Sequence, residues 1–169
     1  LVTQMFPSVM LYVPYYKLLA LMHLSNTHMG LILVYIGSVI PFCSWMMYGF
    51  FNGISRELDE AAMIDGCTFF QIYHMVILPL LKPILATIAL LSFRGGWNEY
   101  IMPLVFTMSN EKMRPLTVGV TMLKNSGDGT AAWNLMFAGA TISIVPIVVI
   151  YIFSSKHFMS GMTAGAVKG

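Results

Sequence analysis

The chain has 169 residues, of which 57% are hydrophobic and 9% are charged, whereas soluble domains carry about 25% charged residues. This composition excludes an ordinary soluble domain and indicates an integral membrane protein. The net charge of +2, without a basic cluster interleaved with aromatic residues, argues against nucleic-acid binding. Cys43 and Cys67 lack metal-ligand spacing, and we expect two free thiols and no metal site.

The chain begins at Leu1, inside a stretch that is already apolar, and has no charged start followed by a short apolar core. This pattern differs from that of a signal peptide. We therefore expect that an N-terminal portion, including further spans, is missing from this sequence.

Four stretches satisfy the requirement of about 20 mostly apolar residues for a membrane span. In chain order they are Met5–Met22, Gly30–Phe51, Pro83–Met108 and Trp133–Phe153. The predicted fold is all-α and polytopic, with about four transmembrane helices. A long polar loop at 52–81 separates the second span from the third.

The first half of this loop has the pattern of a short capped helix. Ser55 is a plausible N-cap, and Glu57, Asp59 and Glu60 follow in the first turn, where carboxylates are favoured by the helix dipole. Gly66 stands where a helix end favours a left-handed residue. We predict one short helix that ends in a sharp turn at Gly66.

The second half of the loop predicts another short helix. Thr68 and Gln71 have the spacing of a capping box, and the apolar residues after Thr68 continue to Leu78. Because proline disfavours helical geometry in the residue before it, Pro79 is expected to end this helix.

The helix pair is expected to dock on a partner outside the membrane. Ala61 and Ala62 are small, so another surface can approach closely. The alternative is a helix lying on the lipid interface, but such helices are usually rich in Lys and Arg. This one carries a single arginine, Arg56, against four acids: Glu57, Asp59, Glu60 and Asp65.

An ordered set of motifs resembles the carbohydrate-importer permeases of the ABC maltose-transporter type, a binding-protein-dependent inner-membrane component. The motifs are Glu57-Leu58-x-Glu60-Ala61-Ala62-x-Ile64-Asp65-Gly66, Leu78-Pro79-Leu80, Trp97-Asn98-Glu99-Tyr100 and the closing Gly161-Met162-Thr163-Ala164-Gly165-Ala166-Val167-Lys168-Gly169. The resemblance covers essentially the whole chain. It implies that residues 1–169 are part of a transmembrane domain, with 52–81 as its cytoplasmic coupling loop.

The resemblance also implies partners and a location. These are a second permease subunit, a cytoplasmic ATPase dimer, an extracytoplasmic sugar-binding protein and the lipid of the cell membrane. The residues implied in coupling to the ATPase are Glu57, Leu58, Glu60, Ala61, Ala62, Asp65, Gly66 and Pro79.

Basic residues in loops favour the cytoplasmic side, but here they are nearly balanced. Arg56, Lys82, Lys156 and Lys168 fall on one side, and Lys112, Arg114 and Lys124 fall on the other. This weakly favours a cytoplasmic loop and C-terminus.

A polar interruption in the third predicted span is the second candidate site. A charge at membrane depth costs about 2.5–3.5 kcal/mol on insertion scales, so polar residues there need a function or partner. One interpretation is a lining of the sugar path. The alternative is that Arg94 and Glu99 bond to the backbone or a partner subunit, or lie near the headgroups. The path candidates are Arg94, Trp97, Asn98, Glu99 and Tyr100.

Other function classes fit less well. The chain lacks the Gly-x-x-x-x-Gly-Lys-Ser/Thr phosphate loop, so ATP hydrolysis is expected on separate subunits, and no catalytic residue or cofactor is predicted here. An intramembrane enzyme would need an acid–base or nucleophile set, and a secondary transporter would need more carboxylates in its spans than Glu99. An ABC importer for another small polar solute, such as glycerol phosphate or an amino acid, remains the alternative.

Overall fold

The computed structural model describes residues 5–123 and 129–166, with side chains described for 5–123 and 133–153. The regular elements in these residues are all helical, which confirms the predicted all-α class. They are α1 (Ser8–Leu21), α2 (His28–Phe51), α3 (Glu57–Ile64), α4 (Phe69–Asn98), α5 (Ile101–Phe106), a 3₁₀ turn (Glu111–Met113), α6 (Leu116–Met122) and α7 (Gly129–Ala166).

Three helices in the described residues are long and apolar enough to cross a membrane. They are α2, α4 and the Trp133–Phe153 part of α7. The predicted first span, Met5–Met22, is shorter than expected, because α1 starts only after Pro7 and has 14 residues. At 1.5 Å per residue it rises about 21 Å, less than the roughly 30 Å of the hydrocarbon core.

The predicted third span, Pro83–Met108, is not one continuous helix to its end. Helix α4 already begins at Phe69 and ends at Asn98. After Asn98 the chain turns and starts the separate helix α5, whose first turn is stabilised by a hydrogen bond from the Met102 N–H to Glu99 Oε1 at 3.3 Å. The polar run therefore lies at the C-terminal end of helix α4 and in the break after it.

The prediction that Pro79 ends a short loop helix at Leu78 is also wrong, because α4 runs through Pro79. The preceding residues, Ile72–Ile77, form a π-helical turn in which the Leu78 N–H bonds to the Tyr73 carbonyl, five residues back. Proline has no N–H to donate, and a helix accepts it where neighbouring turns adjust their hydrogen bonding. The widened turn before Pro79 is such an adjustment.

The chain divides into two compact units, Leu1–Phe42 with Ser92–Val149 and Cys43–Leu91 with Ile150–Gly169. The first unit has an aromatic core around Phe106 of α5, whose ring centroid lies 6.3 Å from that of Tyr12 and 6.1 Å from that of Tyr16. Both tyrosines belong to α1. Offset and edge-on aromatic pairs at this spacing stabilise packing beyond the burial of area, so α5 is anchored on α1.

A tight turn between α1 and α2 completes this packing. His23 and Asn26 adopt positive φ angles of 56° and 53°. The Thr27 hydroxyl donates to the Leu24 carbonyl at 2.8 Å and accepts the Gly30 N–H at 3.0 Å, which caps the start of α2. A Cβ on Gly30 would collide with the Leu24 carbonyl oxygen. A glycine is therefore needed where α2 passes this turn.

Some predictions fall outside the described side chains. Lys124, Lys156 and Lys168, which were used to predict orientation, are among them. The backbone of the predicted C-terminal tail is described as far as Ala166, where it continues helix α7.

Candidate functional site

In the first half of the loop between α2 and α4 a short helix forms as predicted, but its N-cap is Arg56, one residue after the predicted Ser55. The Ser55 Oγ accepts the Glu57 N–H at 3.3 Å, and α3 begins at Glu57. Glu57, Asp59 and Glu60 occupy the first turn, where carboxylates meet the positive end of the helix dipole. Ser55 thus satisfies one of the free amide groups at this helix end.

Gly66 ends α3 in the predicted left-handed conformation, with φ of 80°. The Gly66 N–H bonds to the Met63 carbonyl and the Cys67 N–H to the Ala62 carbonyl, both at 3.0 Å. This pair of reverse bonds is a Schellman motif, which satisfies carbonyls at the end of a helix. The predicted sharp turn at Gly66 is confirmed.

The predicted capping box at the start of α4 is also confirmed. The Thr68 N–H donates to Gln71 Oε1 at 2.7 Å, and the Thr68 hydroxyl donates to the same oxygen at 3.0 Å. The box places Phe69 and Phe70 in the first turn of α4, where they are 78% and 75% exposed. This exposed aromatic pair was not among the predicted site residues, although the position of the cap was sufficient to locate it.

Helix α3 has one buried side and one open side. Ala62 is 7% exposed and packs where α3 meets the π-helical turn, whose Ile72 is 6% exposed. Ala62 therefore lies inside the loop. Ile64, by contrast, is 86% exposed. The open side of the segment also holds the other predicted coupling residues, Glu57, Leu58, Glu60, Ala61, Asp65 and Gly66, while Pro79 is exposed within α4.

The polar run at the end of α4 is not one cluster. Trp97 stacks on Phe93 with ring centroids 5.5 Å apart, and its Nε1 donates to the Ser143 carbonyl of α7 at 2.9 Å. Arg94 and Asn98 are exposed. Trp97 thus joins α4 to α7 within the first unit, a contact that no pattern in the sequence predicts.

Glu99 and Tyr100 occupy the break between α4 and α5, and both are partly exposed. The Glu99 carboxylate caps α5, and its backbone carbonyl accepts the Thr117 hydroxyl at 3.1 Å. Among the described side chains the ion pair is Arg114 with Glu111, so Arg94 and Glu99 do not pair. Among the partners predicted for Glu99, the described residues show the backbone, since its carboxylate accepts the Met102 N–H.

A chain whose described regular elements are all helical, with three helices long and apolar enough to cross a bilayer, defines the class of polytopic membrane proteins. Comparison with known proteins narrows this class. Residues 1–163 match the family model of the binding-protein-dependent transport system inner membrane component. The chain belongs to this family.

Curated relatives of the chain include several permeases. It is 36% identical to the probable ABC transporter permease protein YurM of Bacillus subtilis, over 93% of this chain and 51% of that protein. It is 35% identical to the sulfoquinovosyl glycerol transport system permease protein SmoH of Agrobacterium fabrum, over 97% and 56%. It is 36% identical to the maltodextrin transport system permease protein MdxG of Bacillus subtilis, over 100% and 60%. The chain thus spans between half and three fifths of these relatives.

Proposed function

We propose that this chain is part of the permease subunit of a binding-protein-dependent ABC importer that moves a sugar across the cell membrane. The observation that carries the proposal is the family match over residues 1–163, joined to relatives whose names specify maltodextrin and sulfoquinovosyl glycerol transport. ATP is hydrolysed on separate subunits, and the chain itself catalyses no reaction. Its partners are a second permease subunit, an ATPase dimer and an extracytoplasmic sugar-binding protein.

The loop between α2 and α4 is the surface that docks on the ATPase. Its open side combines acidic side chains with strongly exposed apolar ones, including Ile64 and Phe70. An exposed apolar patch rimmed by polar groups is typical of a protein interaction site. Contact with an anionic lipid surface is disfavoured, because the four acids of the segment outnumber its single arginine.

The loop and the C-terminus lie on the cytoplasmic side. Two spans, α4 and α7, separate the loop from the C-terminus, and an even number of crossings returns the chain to the side from which it left. Docking on a cytoplasmic ATPase therefore fixes the side of both. The small excess of basic residues on that side agrees with this orientation.

The end of α4 contributes to the sugar path. Arg94 and Asn98 are free to face it, since both are exposed in the described structure, and Tyr100 lies beside them in the chain. Trp97 and Glu99 hold this region in place, because the indole N–H and the carboxylate are engaged with backbone groups. In a transport assay Asn98→Ala is expected to raise the KM for the sugar, whereas Trp97→Phe is expected to alter stability.

The principal test is assembly of the full-length protein with its second subunit and a candidate ATPase in lipid nanodiscs. ATP hydrolysis and sugar uptake are measured with and without the sugar-binding protein. We expect Glu60→Lys to abolish stimulation of hydrolysis, because it reverses a charge on the docking side. Glu111→Lys, a reversal at another exposed acid, is the matched control. An assembly that binds ATPase but transports an amino acid or glycerol phosphate would support the alternative solute class.

A further inference from the structure

A cleft of about 470 Å³ opens between the end of α2, helix α3 and the π-helical turn of α4, within the second unit. Its volume falls in the range of about 300–1,000 Å³ that is typical of small-ligand sites. Three aromatic side chains line it, Phe51, Phe69 and Tyr73, and each is at least 41% exposed. The cleft is therefore open, and its walls are largely apolar.

The ends of two spans place this cleft at the level of the lipid headgroups. Helix α2 has 24 residues and rises about 36 Å, slightly more than the roughly 30 Å hydrocarbon core of a bilayer. Phe51, its last residue, lines the cleft. Helix α4 has 30 residues and rises about 45 Å, and it contributes residues from its start, between Phe69 and Ile77. Both helices therefore bring to the cleft the end that extends beyond the core.

Helix α3 presents one residue of each charge to the cleft. Its N-cap Arg56 lines the cleft together with Asp59 and Met63, and spacings of three and four residues place side chains on one face of a helix. Arg56 is exposed, and Asp59 is partly buried. The ion pair among the described side chains is Arg114 with Glu111, so Arg56 and Asp59 do not pair with each other. The cleft thus offers a cation and a carboxylate to the same bound group.

This face of α3 is separate from the side proposed to dock on the ATPase. Glu57, Glu60 and Ile64 form the neighbouring row, which is one residue further along the helix and therefore rotated by about 100°. All three are exposed, and in the described structure they lie outside the cleft. A group bound in the cleft therefore leaves the open side of α3 free.

We propose that the cleft binds one molecule of phosphatidylethanolamine. The lipid phosphate accepts hydrogen bonds from the Arg56 guanidinium, whose planar fork fits phosphate oxygens. The primary ammonium donates hydrogen bonds to the Asp59 carboxylate, and the start of an acyl chain lies against Phe51 and Ile77. This inference goes beyond the proposed transport function, because it requires only that α2 and α4 cross a bilayer.

The charges of the cleft favour this headgroup over the other common ones. Phosphatidylethanolamine has no net charge, so the four acids of the segment do not repel it as they repel an anionic lipid. Phosphatidylcholine carries a quaternary ammonium without N–H groups, which cannot donate a hydrogen bond to Asp59. Phosphatidylglycerol has no cation for Asp59 at all. The carboxylate is therefore the group that selects the lipid, and Arg56 is the group that holds any phosphate.

The first test measures lipid selectivity by native mass spectrometry. The full-length protein, assembled with its second subunit in detergent, is titrated with phosphatidylethanolamine, phosphatidylcholine or phosphatidylglycerol of identical acyl chains. We expect the first lipid to bind about tenfold more tightly than the others, the effect of one charged hydrogen bond. Asp59→Asn should remove this preference, whereas Arg56→Gln should weaken the binding of all three lipids. Glu60→Gln, the matched control at the next residue of α3, should change neither.

A second measurement locates the lipid without altering the protein. Phosphatidylethanolamine with a photoreactive diazirine at the start of one acyl chain is reconstituted with the same assembly in nanodiscs and crosslinked. The labelled peptides should be those that contain Phe51, Met63 and Tyr73, and an excess of unlabelled phosphatidylethanolamine should suppress the labelling. Because this measurement uses the unaltered protein, it does not depend on the folding of any variant.

Several results would overturn the inference. The first is equal affinity of the unaltered protein for the three lipids, and the second is crosslinking spread evenly over α2, α4 and α7. A preference for phosphatidylethanolamine that survives Asp59→Asn would place its ammonium elsewhere. Tighter binding of phosphatidylglycerol would show a site for anionic lipid instead. These outcomes leave the proposed transport function untouched, because that function is tested by sugar uptake and ATP hydrolysis.

Discussion

Substituting alanine for Gly66 isolates the energetic role of the turn between α3 and α4. The position has φ of 80°, and a Cβ built there meets no atom within 4 Å. The cost of Gly66→Ala is therefore one of backbone conformation alone, about 1–2 kcal/mol for a left-handed residue. The C-terminal end of α3 should therefore open more often.

The expected magnitude follows directly from that cost. A change of 1.4 kcal/mol is a factor of about ten in an equilibrium constant, so the turn should open roughly fivefold to thirtyfold more often. The Cys67 amide reports this opening, because it bonds to the Ala62 carbonyl at 3.0 Å and exchanges with solvent only when that bond breaks. Hydrogen exchange of the full-length protein, followed by mass spectrometry of the loop peptide, is the assay.

Two further variants make the test specific. Gly66→Asn should exchange at an intermediate rate, since asparagine tolerates the left-handed region better than alanine. Gly49→Ala is the matched control, because Gly49 lies within α2 and a Cβ there also meets nothing within 4 Å. It should leave the loop unchanged. Equal exchange at Cys67 in the Gly66→Ala variant and the unaltered protein would refute the reasoning.

Three other predictions concern stability; the first two are measured by thermal or denaturant unfolding of the full-length protein in detergent, and the third by hydrogen exchange. Gly30→Ala should destabilise the protein by about 1–3 kcal/mol, because the new Cβ meets the Leu24 carbonyl and, at 3.2 Å, Leu19 Cδ1. Gly37→Ala is the control, since a Cβ at that position meets no atom within 4 Å. Equal stability of the two variants would contradict the prediction. Trp97→Phe should lower the free energy of unfolding by about 0.5–1.5 kcal/mol, because it keeps an aromatic ring beside Phe93 but loses the 2.9 Å hydrogen bond to the Ser143 carbonyl. An unchanged free energy of unfolding would show that this bond contributes nothing. Gln71→Ala should raise the hydrogen-exchange rate of the amides at the start of α4, because it removes the capping box, which contributes about 1 kcal/mol. An exchange rate equal to that of the unaltered protein would show that the box does not stabilise this helix end.

The sequence determined the features of this protein that depend on neighbours in the chain. Composition and the long apolar runs fixed an all-α membrane class, because length and hydropathy decide whether a helix can cross a bilayer. The turn at Gly66 and the capping box at Thr68 and Gln71 were predictable for a related reason. Each involves hydrogen bonds between residues a few positions apart, whose geometry the residue types largely set.

The tertiary structure decided those features that depend on residues distant in the chain, or on which of two competing local preferences prevails. Pro79 favours a helix end, yet α4 continues through it, because the π-helical turn before it adjusts the hydrogen bonding. Ala62 could have faced either way, and its packing at the π-helical turn placed it inside. Trp97 bonds to Ser143, 46 residues later in the chain. No local pattern specifies such a contact, because it exists only once the two helices have come together.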